Sequence, residues 1–132
     1  MIAISSGMSA AALRSVNESL RDDLARLRLL ADSVRTNPGR AGDLRASSHN
    51  FCDTFLVQHE AKDVHLYSAL RPDAVDRLIS SHRLIVVQLA RIRHADVTDL
   101  PEALAALAGL LDDHLRSEEE QLPLSDGPPG QI

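Results

Sequence analysis

A histidine and a glutamate four residues apart, His114 and Glu118, lie in the run HLRSEEEQLPL near the C-terminus. Residues at this spacing share one face of a helix, and an imidazole beside a carboxylate can take part in proton transfer or bind a metal. The apolar residues Leu107 and Leu111 precede them on the same stripe. We therefore predict that both polar side chains face the interior of the protein.

Polar residues also interrupt the apolar stripes of the three earlier amphipathic segments. Asn17 and His82 occupy positions that steps of three and four residues assign to the core. In the segment QHEAKDVHLY the corresponding positions hold either Gln58 or His59, and then Lys62. A buried polar group is costly unless it is hydrogen-bonded, and helical bundles build their sites in the core. The four interruptions together predict a functional polar cluster.

Four segments with helical periodicity must position these side chains. Pro and Gly mark the connections between them, and Asp43 is a predicted N-cap for the second helix. Long amphipathic helices with short connections favour an all-α fold, an antiparallel up-down-up-down four-helix bundle. We expect the bundle to occupy residues 1–124 and a flexible tail, rich in Gly and Pro, to occupy residues 125–132. The predicted helices span about residues 9–35, 44–70, 73–94 and 100–122.

Composition and charge exclude several classes of partner. The formal net charge of −5 does not provide the basic surface that nucleic-acid binding requires. The single cysteine, Cys52, cannot form an intramolecular disulfide, which favours a reducing compartment. The N-terminal residues lack a basic region and a long apolar run, and no segment reaches the length of a transmembrane helix. We expect a cytoplasmic protein without a nucleic-acid or membrane partner, and the sequence leaves its oligomeric state open.

Two stretches of the sequence resemble motifs of the hemerythrin-like family of HHE cation-binding four-helix bundles. They are HLRSEEEQLPL, which contains His114 and Glu118, and SSHRLI, which contains His82. The resemblance covers nearly the whole chain. It implies a di-iron centre with one His from the first helix, a His-x-x-x-Glu pair from the second, and one or two His from the third. The fourth helix supplies a His followed by Glu or Asp. His82, His114 and Glu118 fall on positions of that ligand set.

The sequence departs from the family pattern at three other ligand positions. Asn17 and Gln58 fall where the family has histidines, and Lys62 falls where it has a glutamate. An ammonium group repels a metal cation and is not a normal ligand for iron. We therefore expect no cofactor, and we expect the Lys62 ammonium to replace the lost metal charge by neutralising Glu118 or Glu60.

A bundle core with these residues suits metal-independent acid–base chemistry on a small, largely apolar molecule, of the cyclase, isomerase or lyase type. Lys62 would donate a proton or, with a lowered pKa, form an imine with a carbonyl group. The histidines and Glu118 would serve as acid and base. The predicted catalytic residues are Lys62, His114, Glu118, His82 and His59, and the predicted substrate-binding residues are Asn17, Gln58, Phe55 and Tyr67.

Two alternatives remain open from the sequence. In the first, a rearranged site binds iron and the protein binds oxygen, nitric oxide or peroxide, as the resemblance implies. In the second, the bundle is not catalytic and binds a small ligand or a protein partner, and its polar layer only sets the helix register. The ligands of the rearranged iron site would be His59, Asp63, His82, His114 and Glu118.

Overall fold

The computed structural model describes the backbone of residues 10–66 and 70–121, and the side chains of residues 10–58 and 70–121. Within these residues the chain forms four long α-helices, and two short 3-10 turns precede the second and the fourth. The observed boundaries agree with the predicted ones to within a few residues. The helices are α1 (Ala10–Val34), α2 (Ala41–Leu66), α3 (Pro72–His94) and α4 (Leu100–Gln121), and the 3-10 turns are Pro38–Arg40 and Val97–Asp99.

The helices pack as a four-membered ring in which α1 and α3 each lie between α2 and α4. Contacts between neighbouring helices pair early residues of one with late residues of the next. Cys52 on α2 lies 3.8 Å from the carbonyl oxygen of Leu89 on α3. Gln88 on α3 donates to the carbonyl oxygen of Ala103 on α4 at 2.9 Å. This ring is a four-helix bundle, which confirms the predicted fold class.

The core of the bundle is built from leucines and a few other apolar side chains, as the aromatic content of 2% predicts. The apolar stripe of α1 is buried throughout, from Leu13 to Ala31. On α3 the first buried residue is Ala74, and Val75 is only half-buried. The core therefore forms because each helix presents one apolar face to the ring.

The start of α2 differs from the prediction. Asp43 lies in the first turn of the helix and is not its N-cap, because α2 begins at Ala41 directly after the 3-10 turn. The carboxylate still lies near the positive end of the helix dipole, where an acid is favourable. It also lies 3.8 Å from the guanidinium of Arg40.

In the described ranges, residues 10–66 and 70–121, no helix is long and apolar enough to cross a membrane. Tyr67 and the predicted tail at residues 125–132 lie outside these ranges. The division into a bundle and a flexible tail therefore stays a prediction.

The packing of the core generates a first prediction. Leu104 is fully buried in the apolar cluster, whereas Leu29 is 68% exposed. Leu104→Ala is expected to lower the free energy of unfolding by about 2–5 kcal/mol, because it removes buried methyl groups and leaves a cavity. Leu29→Ala is the matched control and is expected to change it by less than about 0.5 kcal/mol. Urea denaturation of both variants checks this, and equal losses would contradict the assigned core.

Candidate functional site

The polar residues of the four helices collect toward one end of the bundle. Because neighbouring helices run in opposite directions, the first halves of α1 and α3 lie beside the second half of α4. Asn17, His114 and Glu118 are each 0% exposed, as their positions on the stripes predict. His82 is half-buried. We call these four residues and Gln58 the polar layer.

His114 and Glu118 form the most deeply buried pair of the polar layer. They lie one turn apart on α4, and the imidazole Nε2 is 3.2 Å from the carboxylate Oε2. The geometry is that of an ion-pair contact and not of an aligned hydrogen bond. In a site without water, such a contact is electrostatically stronger than the same pair on the surface. The pair can therefore hold a proton at the Nε2–Oε2 contact.

Ser81 on α3 determines which nitrogen of His114 faces the glutamate. Its hydroxyl oxygen lies 2.5 Å from the imidazole Nδ1 and also donates to the carbonyl oxygen of Leu78 at 3.1 Å. A hydroxyl has a single proton to donate, so a hydroxyl bonded to the carbonyl accepts from an Nδ1–H. Ser81 thus contacts Nδ1, and the other ring nitrogen, Nε2, lies next to Glu118.

The sequence interpretation did not single out Ser81. Its position could have been noticed, because Ser81 lies three residues after Leu78 and four before Ile85 on the apolar stripe of α3. His82 fits the same stripe equally well, with the steps in the opposite order. Steps of three and four residues admit both side chains, and only the packing of α3 against α4 distinguishes them.

Asn17 connects α1 to two consecutive carboxylates of α4. Its amide Nδ2 lies 3.4 Å from Oε1 of Glu118 and 3.1 Å from Oε2 of Glu119. Arg21, one turn further along α1, donates two hydrogen bonds to Glu119, at 2.9 and 3.2 Å. We call Asn17, Arg21, Glu118 and Glu119 the α1–α4 clamp.

Arg21 and Glu119 are further residues that the sequence interpretation did not single out. Both side chains are largely buried, with 26% and 20% of their surface exposed. Arg21 follows Asn17 by four residues and therefore lies on the same face of α1, so its spacing from Asn17 could have indicated its place in the site. The position of Glu119 could not have been predicted from spacing, because it is adjacent to Glu118 and adjacent residues of a helix point in different directions.

The clamp changes the acidity of its two charged members. Burial raises the pKa of the Glu119 carboxyl, but the hydrogen bonds from Arg21 and Asn17 outweigh it, so its pKa lies below the ordinary value. The hydrogen bond to Glu119 raises the pKa of the Arg21 guanidinium, and burial opposes this only in part. Both groups are therefore charged at neutral pH.

His82 and Gln58 complete the described part of the polar layer. The rings of His82 and His114 are nearly perpendicular, with centroids 6.3 Å apart. Gln58 is half-buried, and its buried Oε1 has no hydrogen-bond partner among the residues whose side chains are described. A buried acceptor of this kind is suited to an N–H or O–H donor of a ligand or a water molecule.

The remaining predicted site residues divide into two groups. Phe55 is fully buried in the apolar core, where its ring stacks on Phe51 with centroids 6.4 Å apart. The side chains of His59, Lys62, Asp63 and Tyr67 lie outside the described residues. Their roles therefore stay predictions from the sequence.

Comparison with protein-family profiles gives one match, which covers all four helices. Residues 8–122 match the Hemerythrin HHE cation binding domain. The chain belongs to the hemerythrin family. Comparisons with curated proteins and with solved structures gave no match. Membership confirms the predicted family and the hemerythrin-like four-helix bundle.

A hemerythrin domain implies a bound cation, and the described residues of this one do not fit a di-iron centre. Among the side chains of residues 10–58 and 70–121, no three His, Cys, Asp or Glu residues are close enough together to hold a metal ion. The amide nitrogen of Asn17 faces one carboxylate oxygen of Glu118, and Nε2 of His114 faces the other. An amide N–H group is a hydrogen-bond donor and not a metal ligand.

The clamp generates a prediction about pH. Because the pKa of Glu119 is lower in the folded than in the unfolded protein, its stabilisation is fully present above the unfolded pKa and is lost as the pH falls through the folded one. Glu119→Gln is expected to lower the free energy of unfolding by about 1 kcal/mol at neutral pH, the scale of a partly buried charged hydrogen bond. In acid the difference should disappear.

Denaturant unfolding of the native protein and the variant at about pH 7 and about pH 3 measures this difference. Glu120→Gln, which removes a neighbouring but exposed carboxylate, is the matched control. A loss for Glu119→Gln that stays the same at both pH values would contradict the charged clamp.

Proposed function

We propose that this hemerythrin-like bundle carries out metal-independent acid–base chemistry on a small, largely apolar molecule. The observation that carries the proposal is the buried contact between His114 and Glu118, whose Nε2 and Oε2 atoms are 3.2 Å apart. Reactions that move one proton, such as isomerisation, elimination or cyclisation, are the class that such a pair serves.

The pair is positioned by its neighbours on the other helices. Ser81 on α3 holds Nδ1 of His114, and Asn17 on α1 holds Oε1 of Glu118. Both reactive atoms are thus held by groups that do not themselves exchange the proton. Positioning of this kind removes the reorganisation that an acid or base pays for in water.

The steps of such a reaction balance without a cofactor. The Glu118 carboxylate, acting as a base, would take a proton from a C–H bond of the substrate. The protonated His114 would return one proton to the carbon, oxygen or nitrogen atom at which negative charge develops. A proton transfer at the Nε2–Oε2 contact then restores both groups. In isomerisation and cyclisation no proton is gained or lost overall, and in an elimination the second proton leaves with the leaving group.

The other predicted residues have supporting roles in this proposal. The half-buried ring of His82 and the buried Oε1 of Gln58 would contact polar atoms of the substrate. Lys62, on the predicted inner face of α2, would supply a cation for developing negative charge or form an imine with a carbonyl group. His59 would act as a further acid or base, and Tyr67 would contact the substrate, as the sequence predicts. An apolar substrate suits the leucine-rich core that begins directly beside the pair.

Ring opening of nitrobenzisoxazole tests the proposal, because removal of the C–H proton of its isoxazole ring forms a nitrile, breaks the N–O bond and releases a coloured phenolate. In the presence of a chelator, the protein is expected to accelerate this reaction over buffer. His114→Ala and Glu118→Gln are each expected to reduce the acceleration by at least about tenfold, the lower range for a positioned acid or base. Lys62→Met is expected to reduce it as well.

Two matched variants separate this effect from a general loss of histidine or acid. His94→Ala removes an exposed histidine at the end of α3, and Glu120→Gln removes an exposed glutamate of α4. Both are expected to retain the rate of the native protein. Equal rates for the native protein and all five variants, with helical circular dichroism intact, would refute acid–base chemistry at this pair.

The family match supports a second candidate function, the binding of a cation such as iron. Its ligands would be His82, His114 and Glu118, with His59 and Asp63 from α2. Protein purified without chelator, and again after loading with ferrous iron, is expected to contain less than about a tenth of an equivalent of metal if the first proposal holds, because ligand geometry at such sites is demanding. Inductively coupled plasma mass spectrometry measures this, and near-stoichiometric iron would favour the second candidate.

A further inference from the structure

The α1–α4 clamp places one amide group between two carboxylates that would otherwise repel each other. Nδ2 of Asn17 carries two hydrogens, and it lies 3.4 Å from Glu118 and 3.1 Å from Glu119. Glu118 is 0% exposed, so its charge depends on protein groups for stabilisation. Arg21 donates two hydrogen bonds to the second carboxylate, and its guanidinium also lies 3.6 Å from the carboxylate of Asp112 on α4.

We infer that Asn17, supported by Arg21, takes the place of a divalent cation between α1 and α4, and that it is the positioning residue that directs Glu118 toward His114. This inference deepens the proposed function and rests on its metal-independent chemistry. It concerns how the carboxylates are held and not which substrate is bound.

The chemistry of the side chain explains why an amide serves here. Asparagine and aspartate have the same shape, but aspartate offers oxygen acceptors in place of the two N–H donors. With an aspartate at position 17, a third carboxylate would meet Glu118 and Glu119 at the clamp, in place of the amide group that donates to both of them. Clustered carboxylate oxygens are the ligands that divalent cations prefer. The change of one NH2 group to an oxygen should therefore make the stability of the bundle depend on a cation.

Thermal unfolding of the full chain, with no substrate present, tests the inference. The proteins are the native chain, Asn17→Asp and Asn50→Asp, each in EDTA and each with MnCl2. The native Tm is expected to be the same in both conditions. Asn17→Asp is expected to lower Tm by at least about 5 °C in EDTA and to recover at least about half of that loss with Mn²⁺. Asn50→Asp, a matched change at an exposed site on α2, should show neither effect.

Two results would overturn the inference: a Tm of Asn17→Asp in EDTA equal to that of the native chain, or a native Tm that rises with Mn²⁺. If Asn17→Asp does not fold in EDTA, Arg21→Gln provides the second test, because it removes the guanidinium and leaves the amide in place. Its Tm is expected to fall in EDTA and to rise with Mn²⁺. A Tm for Arg21→Gln that does not respond to Mn²⁺ would also overturn the inference.

These outcomes are distinguishable from a failure of the proposed function. A native chain that stays insensitive to Mn²⁺ while Asn17→Asp keeps a normal Tm would refute the clamp and leave the acid–base proposal intact. Absence of ring-opening activity, together with an Asn17→Asp variant whose Tm depends on Mn²⁺, would refute the acid–base proposal and leave the clamp intact.

Discussion

The buried carboxylate of Glu118 is the constraint on which the rest of the polar layer depends. An ionised carboxylate without water costs several kcal/mol unless charges and hydrogen bonds compensate it. Here the compensation comes from Asn17 on α1 and from His114 one turn earlier on α4. His114 is itself held by Ser81 on α3. Glu118 thus connects three of the helices: Asn17 and His114 contact its carboxylate directly, and Ser81 contacts it through His114.

The apolar core beside this layer explains how the fold tolerates it. The buried leucines of α1 and α4 and the apolar residues of α2 and α3 form one cluster along the remaining length of the bundle, where the buried polar residues Ser48 and Gln88 also lie. Buried polar groups of this kind are rarely the best solution for stability, since well-packed apolar residues often perform equally well. Their concentration at one end, on a stable support, therefore favours a chemical role over a structural one.

Membership of the hemerythrin family defines the backbone but leaves the chemistry to individual side chains. Asn17 and Gln58 are amides at positions where the family resemblance implies imidazoles. An amide donates N–H groups to carboxylates, whereas a neutral imidazole offers a lone pair to a metal. In the proposed function the same helices hold a proton-transferring pair in place of a metal centre. In the α1–α4 clamp, the amide group of Asn17 lies within hydrogen-bond distance of both Glu118 and Glu119.

The sequence by itself determined the four helices, the ring of apolar faces and the burial of Asn17, His114 and Glu118, because helical periodicity depends only on residues close in the chain. Asp43 shows the limit of that reasoning, because α2 begins at Ala41, directly after the 3-10 turn and before the expected cap residue. Only the tertiary structure decided that Ser81 contacts His114 and that Arg21 and Glu119 complete the clamp. These contacts join residues far apart in the chain, and their geometry depends on how the helices rotate against one another when they pack.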